Sequence, residues 1–295
     1  MRRHRSPAAT TVQRLRRMAF WAFGTVAPRA AARWFERLIL TPQLYPGARD
    51  AEDPSPDGTH TRVPYGSGWL SVWSWGDGPV VLLMHGWGGR AVHLQEFVKP
   101  LLAEGFRVVA FDAPAHGRSD GVRTNLVECT GAVLQVAGAV GPVHGIIAHS
   151  FGSPTAAMAV RHGLEVNKMV FIGAPASIGK LTHNIARVIG FPARVSQLTQ
   201  ERIESRLGIS MEDLETDRVL ASIDVPLLVF HDEGDRDVPW EDAESIVRAA
   251  KEANLVTTSG LGHRRIIQDA EVVQQAVDFL RVPANERDVV SVETV

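Results

Sequence analysis

Three residues whose side chains make a nucleophile, an acid and a base occur along the chain in the order Ser150, Asp235 and His263. A serine hydroxyl attacks a carbonyl carbon when a histidine removes its proton and a carboxylate orients that histidine. Ser150 stands in AHSFG, between the apolar run over residues 143–148 and an alanine-rich stretch typical of a helix. A serine at such a junction either caps the helix or is held on a sharp turn with its hydroxyl above a sheet.

The candidate acid and base each follow a predicted strand. The stretch LLVFHDEGDRDVPW offers Asp232, Asp235 and Asp237, of which we favour Asp235 as the acid, with Asp237 as the alternative. His263 lies in the glycine-rich loop TTSGLGHRRI before the last predicted helix. Upstream, HGWGG at residues 85–89 also follows a predicted strand, and its backbone N–H groups can turn toward a bound oxyanion.

From residue 60 onward, apolar strand-like runs alternate with helix-like segments. This pattern predicts an α/β fold with a mainly parallel central sheet flanked by helices on both faces. The predicted strands cover residues 61–65, 69–75, 79–84, 107–111, 143–148, 168–173, 225–231 and 255–258, the first two as a hairpin. The predicted helices cover residues 91–103, 126–140, 153–162, 178–189, 193–207, 241–253 and 270–280. Since open α/β sheets keep their sites at the carboxyl ends of their strands, the candidate residues are expected to meet there.

The alternation lapses between residues 177 and 224. This span is predicted to form two or three short helices, inserted between two strands, and we interpret it as a small helical lid. Leu181, Ile185 and Val188 share one face of its first helix. These apolar side chains either line a substrate pocket or only pack the insertion onto the core.

The first 37 residues are strongly basic, with nine arginines against the single acid Glu36, whereas the whole chain has a net charge of −2. Apolar residues recur there at three- and four-residue steps, which predicts a helix that Pro28 interrupts before a second apolar stripe. The first stripe comprises Val12, Leu15, Ala19, Ala22 and Val26. Three interpretations compete: an amphipathic helix on an anionic membrane surface, a signal peptide, or two helices packed on the main domain with their arginines in water. No run of about twenty apolar residues occurs, so no membrane span is predicted.

In their order and spacing, these motifs resemble those of the α/β-hydrolase fold superfamily, on its serine esterase and lipase side. The family's histidine–glycine loop corresponds to residues 85–89, and its nucleophile elbow to residues 148–152, with alanine in place of the first glycine. The family's acid lies in an aspartate-x-x-valine-proline motif, here residues 235–239, and its base in glycine-x-glycine-histidine, here residues 260–263. DAPAHGRSD, at residues 112–120, resembles a further family segment after the fourth strand.

The resemblance divides the chain into a core and additions to it. We expect the core in two parts, residues 60–176 and 225–282, with the helical lid (177–224) between them. An Arg-rich helical extension and linker (1–59) precede the core, and a C-terminal tail (283–295) follows it.

The resemblance also implies an activity. It is that of a serine hydrolase which cleaves carboxylic esters with an apolar acyl or alkyl group through an acyl-enzyme intermediate. The backbone N–H groups of Trp87 and Phe151 would hold the oxyanion, and these two side chains, with His85 and the apolar lid residues, are the candidates for the substrate pocket. His85 and His116 are expected to be chiefly structural. Carbon–carbon bond hydrolysis, amide hydrolysis, acyl transfer and a non-catalytic ligand-binding role stay open.

The resemblance implies a small-molecule ester as the partner, and composition suggests no other. The near-neutral charge gives no reason to expect nucleic acid, and the single Cys129, interpreted as a buried hydrophobe, excludes an intramolecular disulfide and fits a reduced cytoplasmic location. His231 and Asp232 lack a third ligand at a plausible spacing, so no metal is expected, and no motif calls for a cofactor. Peripheral contact of the Arg-rich helix with an anionic membrane stays open, and the sequence does not indicate the oligomeric state.

Overall fold

Eight strands form one sheet in the computed structural model, which describes residues 7–43 and 57–281. The strands are β1 (Thr59–Tyr65), β2 (Gly68–Trp75), β3 (Val80–Met84), β4 (Arg107–Phe111), β5 (Val143–His149), β6 (Lys168–Ile172), β7 (Leu227–Asp232) and β8 (Ala253–Thr258). Their order is β1-β2-β4-β3-β5-β6-β7-β8, and β3 to β8 run parallel, as predicted. The predicted tail (283–295) and residues 1–6 and 44–56 of the predicted extension and linker lie outside the described residues.

Helices cover both faces of the sheet. They are α1 (Pro7–Val26), α2 (Pro28–Ile39), α3 (Val98–Ala103), α4 (Leu126–Val140), α5 (Gly152–Arg161), α6 (Ile178–Ile189), α7 (Ala193–Leu207), α8 (Thr216–Ala221), α9 (Trp240–Ala249), α10 (Gly262–Arg265) and α11 (Ala270–Leu280). Helices α4, α6, α7 and α11 have the predicted bounds. The helix predicted over residues 91–103 is divided, because Leu94 departs from helical φ and ψ and a 3₁₀ segment therefore precedes α3.

The parallel strands are buried because side chains pack against them from both faces. All five residues of β3 and all six of β7 are buried, which is why these strands are nearly continuous apolar runs. Leu82 and Phe171 point to one face, where α4, α5, α8 and α9 pack. Leu83 and Ile172 point to the other face, where α3 and α11 pack. Asp232, which ends β7, is buried but not apolar, because its carboxylate organises the loops of the candidate site.

The N-terminal helices pack chiefly on the insertion between β6 and β7. Ala32 and Phe35 of α2 form a small apolar core with Phe191 and Val195 of the insertion. The ring of Phe191 lies 5.1 Å from that of Phe20 and 5.7 Å from that of Phe35, between centroids. The extension and the insertion therefore share one hydrophobic core, a packing that the sequence did not predict.

An ion pair with two arginines fastens α2 to α7. Glu36 is buried, and its two carboxylate oxygens lie 2.7 Å from Arg202 Nε and 2.7 Å from an Arg206 guanidinium nitrogen. Both arginines remain nearly half exposed, so only the acid is taken out of water. This geometry makes the carboxylate the common anchor of two otherwise solvated cations.

Glu36→Ala is expected to loosen α2 from α7 because it removes the carboxylate that both guanidinium groups share. We expect the free energy of unfolding to fall by about 1–3 kcal/mol, less than for a fully buried pair, since both arginines can return to water. Hydrogen exchange resolved along the chain should show faster exchange in α2 and unchanged exchange in β5. Glu212→Ala, which breaks an exposed pair with Arg218, is the matched control. Equal exchange in wild type and Glu36→Ala would contradict the anchoring role.

Candidate active site

Ser150 occupies a sharp turn between β5 and α5. Its φ is 52°, in the left-handed region that a residue with a side chain rarely adopts. The residue at the helix cap is Phe151, and no side chain caps α5. The Ser150 hydroxyl instead lies 2.9 Å from Nε2 of His263, which decides between the two interpretations of this serine: it is not a helix cap.

One glycine in the turn and one in the loop after β3 let these two backbone segments approach each other closely. A Cβ atom at Gly152 would lie 2.7 Å from the carbonyl oxygen of Met84 and 2.9 Å from that of His85. A Cβ atom at Gly86 would lie 2.9 Å from Cβ of Ser150. Side chains at these two positions would therefore push the turn away from the loop after β3.

Asp235 is hydrogen-bonded to the histidine that contacts Ser150. Its Oδ2 lies 2.7 Å from Nδ1 of His263, and its Oδ1 accepts bonds from the backbone N–H groups of Asp237 and Val238 at 2.8 and 3.0 Å. Burial acts to raise the pKa of Asp235, but the bonds from His263 and the two backbone donors outweigh it, so the pKa lies below its ordinary value. The alternative acid, Asp237, contributes only its backbone here and leaves its side chain exposed.

These bonds fix the tautomer of His263. An ionised Asp235 only accepts hydrogen bonds, so Nδ1 of His263 carries the proton and donates it to that carboxylate. The other ring nitrogen, Nε2, then has a free lone pair, which accepts the hydroxyl proton of Ser150. This is the arrangement in which a histidine can act as a general base toward a serine.

Asp232, at the end of β7, holds together the loops that carry the acid and the histidine. Its buried carboxylate accepts the N–H of Gly234 on Oδ1, and the hydroxyl of Thr258 and the N–H of Leu261 on Oδ2, each at 2.9 Å. Burial acts to raise its pKa, but these donors, with the N–H of Gly262, bring it below the ordinary value. Sequence reasoning missed this role, although an aspartate ending an otherwise apolar strand was a usable signal.

His149 packs beside His263 and is hydrogen-bonded to its backbone. Its Nε2 donates to the backbone oxygen of His263 at 2.8 Å, and the two ring centroids lie 4.8 Å apart. Burial and the neighbouring His263 lower the pKa of His149 to about 3, so the ring is neutral. A neutral neighbour adds no positive charge beside an imidazole that must itself become charged. His149 is thus a positioning residue for His263 rather than a proton carrier.

The residues predicted to hold an oxyanion border Ser150. Trp87 and Phe151 have ring centroids 5.0 Å apart in an edge-to-face contact, which makes this border apolar. Within the described residues, neither backbone N–H donates to a protein acceptor. Both donors are therefore available to a bound group, and their role in an oxyanion hole stays a prediction.

His85, His116 and Asp112 organise the loops beneath this border. His85 donates from Nδ1 to Gly86 at 2.8 Å and accepts the N–H of Ala113 on Nε2 at 3.0 Å. Asp112 accepts the N–H groups of Ala91 and Arg118, each at 2.8 Å. His116 donates from Nδ1 to the backbone oxygen of Pro114 at 2.9 Å, so His85 and His116 have the structural role expected of them, and Cys129 is buried as predicted.

A cavity of about 10 Å³ lies beside the elbow, room for about one water molecule. Two of the predicted pocket residues, His85 and Phe151, line it, whereas the insertion residues do not. Ile185 and Val188 are 38% and 60% exposed, and Leu181 is half-buried. The prediction that these three face a pocket does not hold in this structure, because α6 packs through its Thr182 and Ala186 face and turns the other face outward.

Three buried histidines should make the protein acid-labile. Burial is the main cause that lowers the pKa of His149 to about 3 and of His116 to about 4, and it takes that of His85 well below 6.5. In the unfolded chain the pKa of all three histidines returns to about 6.5. The unfolded state therefore binds more protons than the native state below that pH, and the free energy of unfolding decreases as the pH is lowered. Burial raises the pKa of Asp112 to about 6, so this carboxyl group stabilises the native state as the pH is lowered. That gain offsets the loss of unfolding free energy from about one of the histidines.

Urea unfolding near pH 7 and pH 5 measures this effect. We expect a net loss of about 4 kcal/mol between the two, with each histidine contributing about 2 kcal/mol. His149→Gln should remove about one histidine's share of that loss. His162→Gln, at an exposed position, is the matched control and should leave the loss unchanged. A pH dependence in His149→Gln equal to that of the wild type would refute the assignment of a neutral buried ring.

Sequence comparisons agree with the topology. A family model described as "alpha/beta hydrolase fold" matches residues 79–214, and one described as "TAP-like protein" matches residues 210–291. The bifunctional esterase/perhydrolase DCH of Acinetobacter calcoaceticus is 26% identical, in a match that covers 68% of this chain and 91% of that relative. A non-heme haloperoxidase of Rhodococcus erythropolis is 27% identical, in a match that covers 68% of this chain and 90% of that relative.

A solved structure extends this agreement to three dimensions. The esterase EaEST from Exiguobacterium antarcticum has a TM-score of 0.60 and 17% identity, over 76% of this chain and all (100%) of that one. The two family models together span the parallel strands, the turn at Ser150 and the loop of His263. With the sheet order and the sharp turn after β5, these matches show that the chain belongs to the α/β-hydrolase fold superfamily.

Proposed function

We propose that this hydrolase cleaves carboxylic esters with an apolar acyl or alkyl group, with Ser150 as nucleophile, His263 as base and Asp235 as acid. The observation that carries the proposal is a pair of hydrogen bonds that connects the three residues through His263. Ser150 Oγ lies 2.9 Å from His263 Nε2, and His263 Nδ1 lies 2.7 Å from Asp235 Oδ2. Esterase names among a relative and a structural neighbour support an ester as the substrate.

The first half of the reaction forms an acyl-enzyme. Ser150 Oγ attacks the ester carbonyl carbon as its proton passes to Nε2 of His263. Asp235 stabilises the resulting imidazolium through Nδ1 and remains ionised. The N–H groups of Phe151 and Trp87 hold the oxyanion, each such donor being worth roughly 10²–10³ in rate. The oxyanion then collapses, the bond to the alkoxy oxygen breaks, and the imidazolium gives its proton to the departing alcohol.

The second half returns the enzyme to its starting state. A water molecule attacks the acyl carbon and passes a proton to Nε2 of His263. The new tetrahedral intermediate releases Ser150, which recovers the proton from the imidazolium, and the carboxylic acid leaves. The neutral ring of His149 helps in both halves, because a second positive charge beside His263 would oppose its protonation.

The shape of the site bears on the choice of substrate. The edge-to-face pair of Trp87 and Phe151 favours an apolar group next to the carbonyl. The cavity beside the elbow is too small for an acyl chain and no residue of the insertion lines it, so a long chain needs further space around Ser150. We propose that α6 and α7 act as a lid whose movement provides this space, and that short esters are cleaved without that movement. Helix α8 is not part of this lid, because its Val219 and Leu220 are buried in the core against the sheet.

Acyl transfer to hydrogen peroxide is a second candidate activity. It is favoured by one relative whose name joins an esterase with a perhydrolase. The same acyl-enzyme serves both reactions, since peroxide in place of water attacks the acyl carbon and yields a peracid. Adding peroxide to an ester assay and measuring peracid separates the two outcomes.

Ser150→Ala is expected to abolish hydrolysis of p-nitrophenyl esters across acyl lengths from acetate to palmitate, a loss on the order of 10⁶ in kcat. A fluorophosphonate probe, which labels activated serines whatever the ester preference, should label the wild type and not the variant. Labelling without ester turnover would keep the nucleophile and reject the ester substrate. Absence of labelling in a folded wild type would overturn the proposed chemistry and favour a ligand-binding role.

Asp235→Asn is expected to lower kcat by about 10⁴, because an amide permits the wrong tautomer of His263. Asp237→Asn is the matched control: it lies two residues away, its side chain is exposed, and only its backbone contacts Asp235. We expect that control to keep wild-type kcat within about twofold. Steady-state kinetics on p-nitrophenyl acetate measures both. A larger loss in Asp237→Asn would transfer the acid role to that residue.

A further inference from the structure

Helix α1 leaves its most regular apolar stripe in water. Val12, Leu15 and Val26, which belong to the stripe predicted from the sequence, are 66%, 61% and 85% exposed, and Met18 beside them is 66% exposed. Residues spaced by three and four positions share one side of a helix, so these side chains form a continuous surface. Large apolar side chains clustered at this exposure on one helix indicate an interaction surface.

A different side of α1 contacts the protein. Phe20 and Phe23 pack around Phe191, and a Cβ atom at Gly24 would lie 2.5 Å from the Pro192 ring. Among residues 11–26, whose exposure the structure describes, only Phe20, Phe23 and Gly24 are buried or half-buried, and residues 11–19 are all exposed. The helix is thus held by one side near its end, while the stripe remains uncovered over its full length.

Arginines border the stripe along both edges. Arg14 lies one turn before Met18, and Arg16 lies one turn after Val12, so each long edge of the stripe carries an exposed guanidinium group. The segment is basic as a whole, with nine arginines and one acidic residue in the first 37 positions. Because the whole chain has a net charge of −2, the remainder of the protein is acidic. This asymmetry would orient α1 toward a negatively charged surface and the rest away from it.

The insertion adds a second exposed apolar set next to α1. Ile185 and Val188 of α6 are exposed, and the backbone oxygen of Arg187 between them accepts a bond from Arg17 of α1 at 3.3 Å. The two exposed sets lie on neighbouring helices, but Arg17 is two residues from both Leu15 and Ala19, so α6 contacts the side of α1 opposite the stripe and its exposed set is a separate patch. Among the described residues no helix is long and apolar enough to cross a membrane.

We propose that α1 docks on the surface of an anionic lipid bilayer. The apolar stripe enters the boundary between headgroups and acyl chains, and the bordering arginines bind lipid phosphates, which is the chemistry of an interfacial amphipathic helix. A second copy of the chain fits this surface less well. A symmetric contact through the stripe would bring Arg14 and Arg16 against their own copies, and like charges repel.

Vesicle flotation of the full chain tests the proposal. Vesicles of phosphatidylcholine and phosphatidylglycerol in equal parts are compared with pure phosphatidylcholine. We expect binding to the anionic vesicles that weakens at high salt. Val12→Asp/Leu15→Asp should lower that binding by about tenfold or more, because two carboxylates would have to enter the headgroup boundary. Arg14→Ser/Arg16→Ser should keep the stripe and lose most of the preference for anionic lipid.

Val122→Asp is the matched control, since Val122 is 73% exposed and lies outside both helices. It should bind vesicles like the wild type, and equal melting temperatures should show that every variant is folded. Equal binding of the Val12→Asp/Leu15→Asp variant, or no binding of the wild type, would overturn the proposal. So would a wild-type dimer in light scattering that Val12→Asp/Leu15→Asp converts to a monomer, because a second copy would then cover the stripe. None of these readouts depends on ester hydrolysis.

Discussion

The left-handed backbone of Ser150 is the constraint on which the site depends. A residue with a side chain in this region costs about 1–3 kcal/mol and persists only where its surroundings dictate it. Here the N–H of Ser150 is bonded to Ile172 of the neighbouring strand, and Gly152 lies against the last carbonyl groups of β3. The turn therefore has no room to relax into an ordinary helix start. Its consequence is a hydroxyl that stands above the ends of the strands, where loops from either side can reach it.

Buried polar residues bring those loops to the turn. Asp232 joins the loops after β7 and β8 through four donors, so the acid and the base arrive already aligned. Asp112 does the same for the loops after β3 and β4. His85 and His149 remain neutral because they are buried, and their fixed tautomers act as rigid hydrogen-bonding pieces. The site is thus prearranged by groups that need not touch a substrate, which is what precise positioning requires.

Local patterns in the sequence were enough to predict the strands and the central residues of the site. Apolar runs marked the parallel strands, and the order of Ser150, Asp235 and His263 brought together the residues that the structure joins by hydrogen bonds. Features that depend on contacts between distant segments could not be predicted in this way. The role of Asp232 requires knowing which loops lie beside β7. The outward turn of α6 results from the packing of the N-terminal helices on the insertion, and an apolar stripe on α1 does not reveal whether protein or solvent will face it.

The core shared by the extension and the insertion has a mechanical consequence. Because Phe191 of the insertion is enclosed by rings of α1 and α2, the insertion cannot swing away from the sheet as a separate flap. An opening motion would carry α1 and α2 with it as one rigid body. The backbone oxygen of Leu40, just after α2, accepts the N–H of Thr124 in the core, so the end of α2 is tied to the core at this point. Holding α1 in place would therefore slow the opening of the insertion, and with it access to Ser150, without any contact with the serine itself.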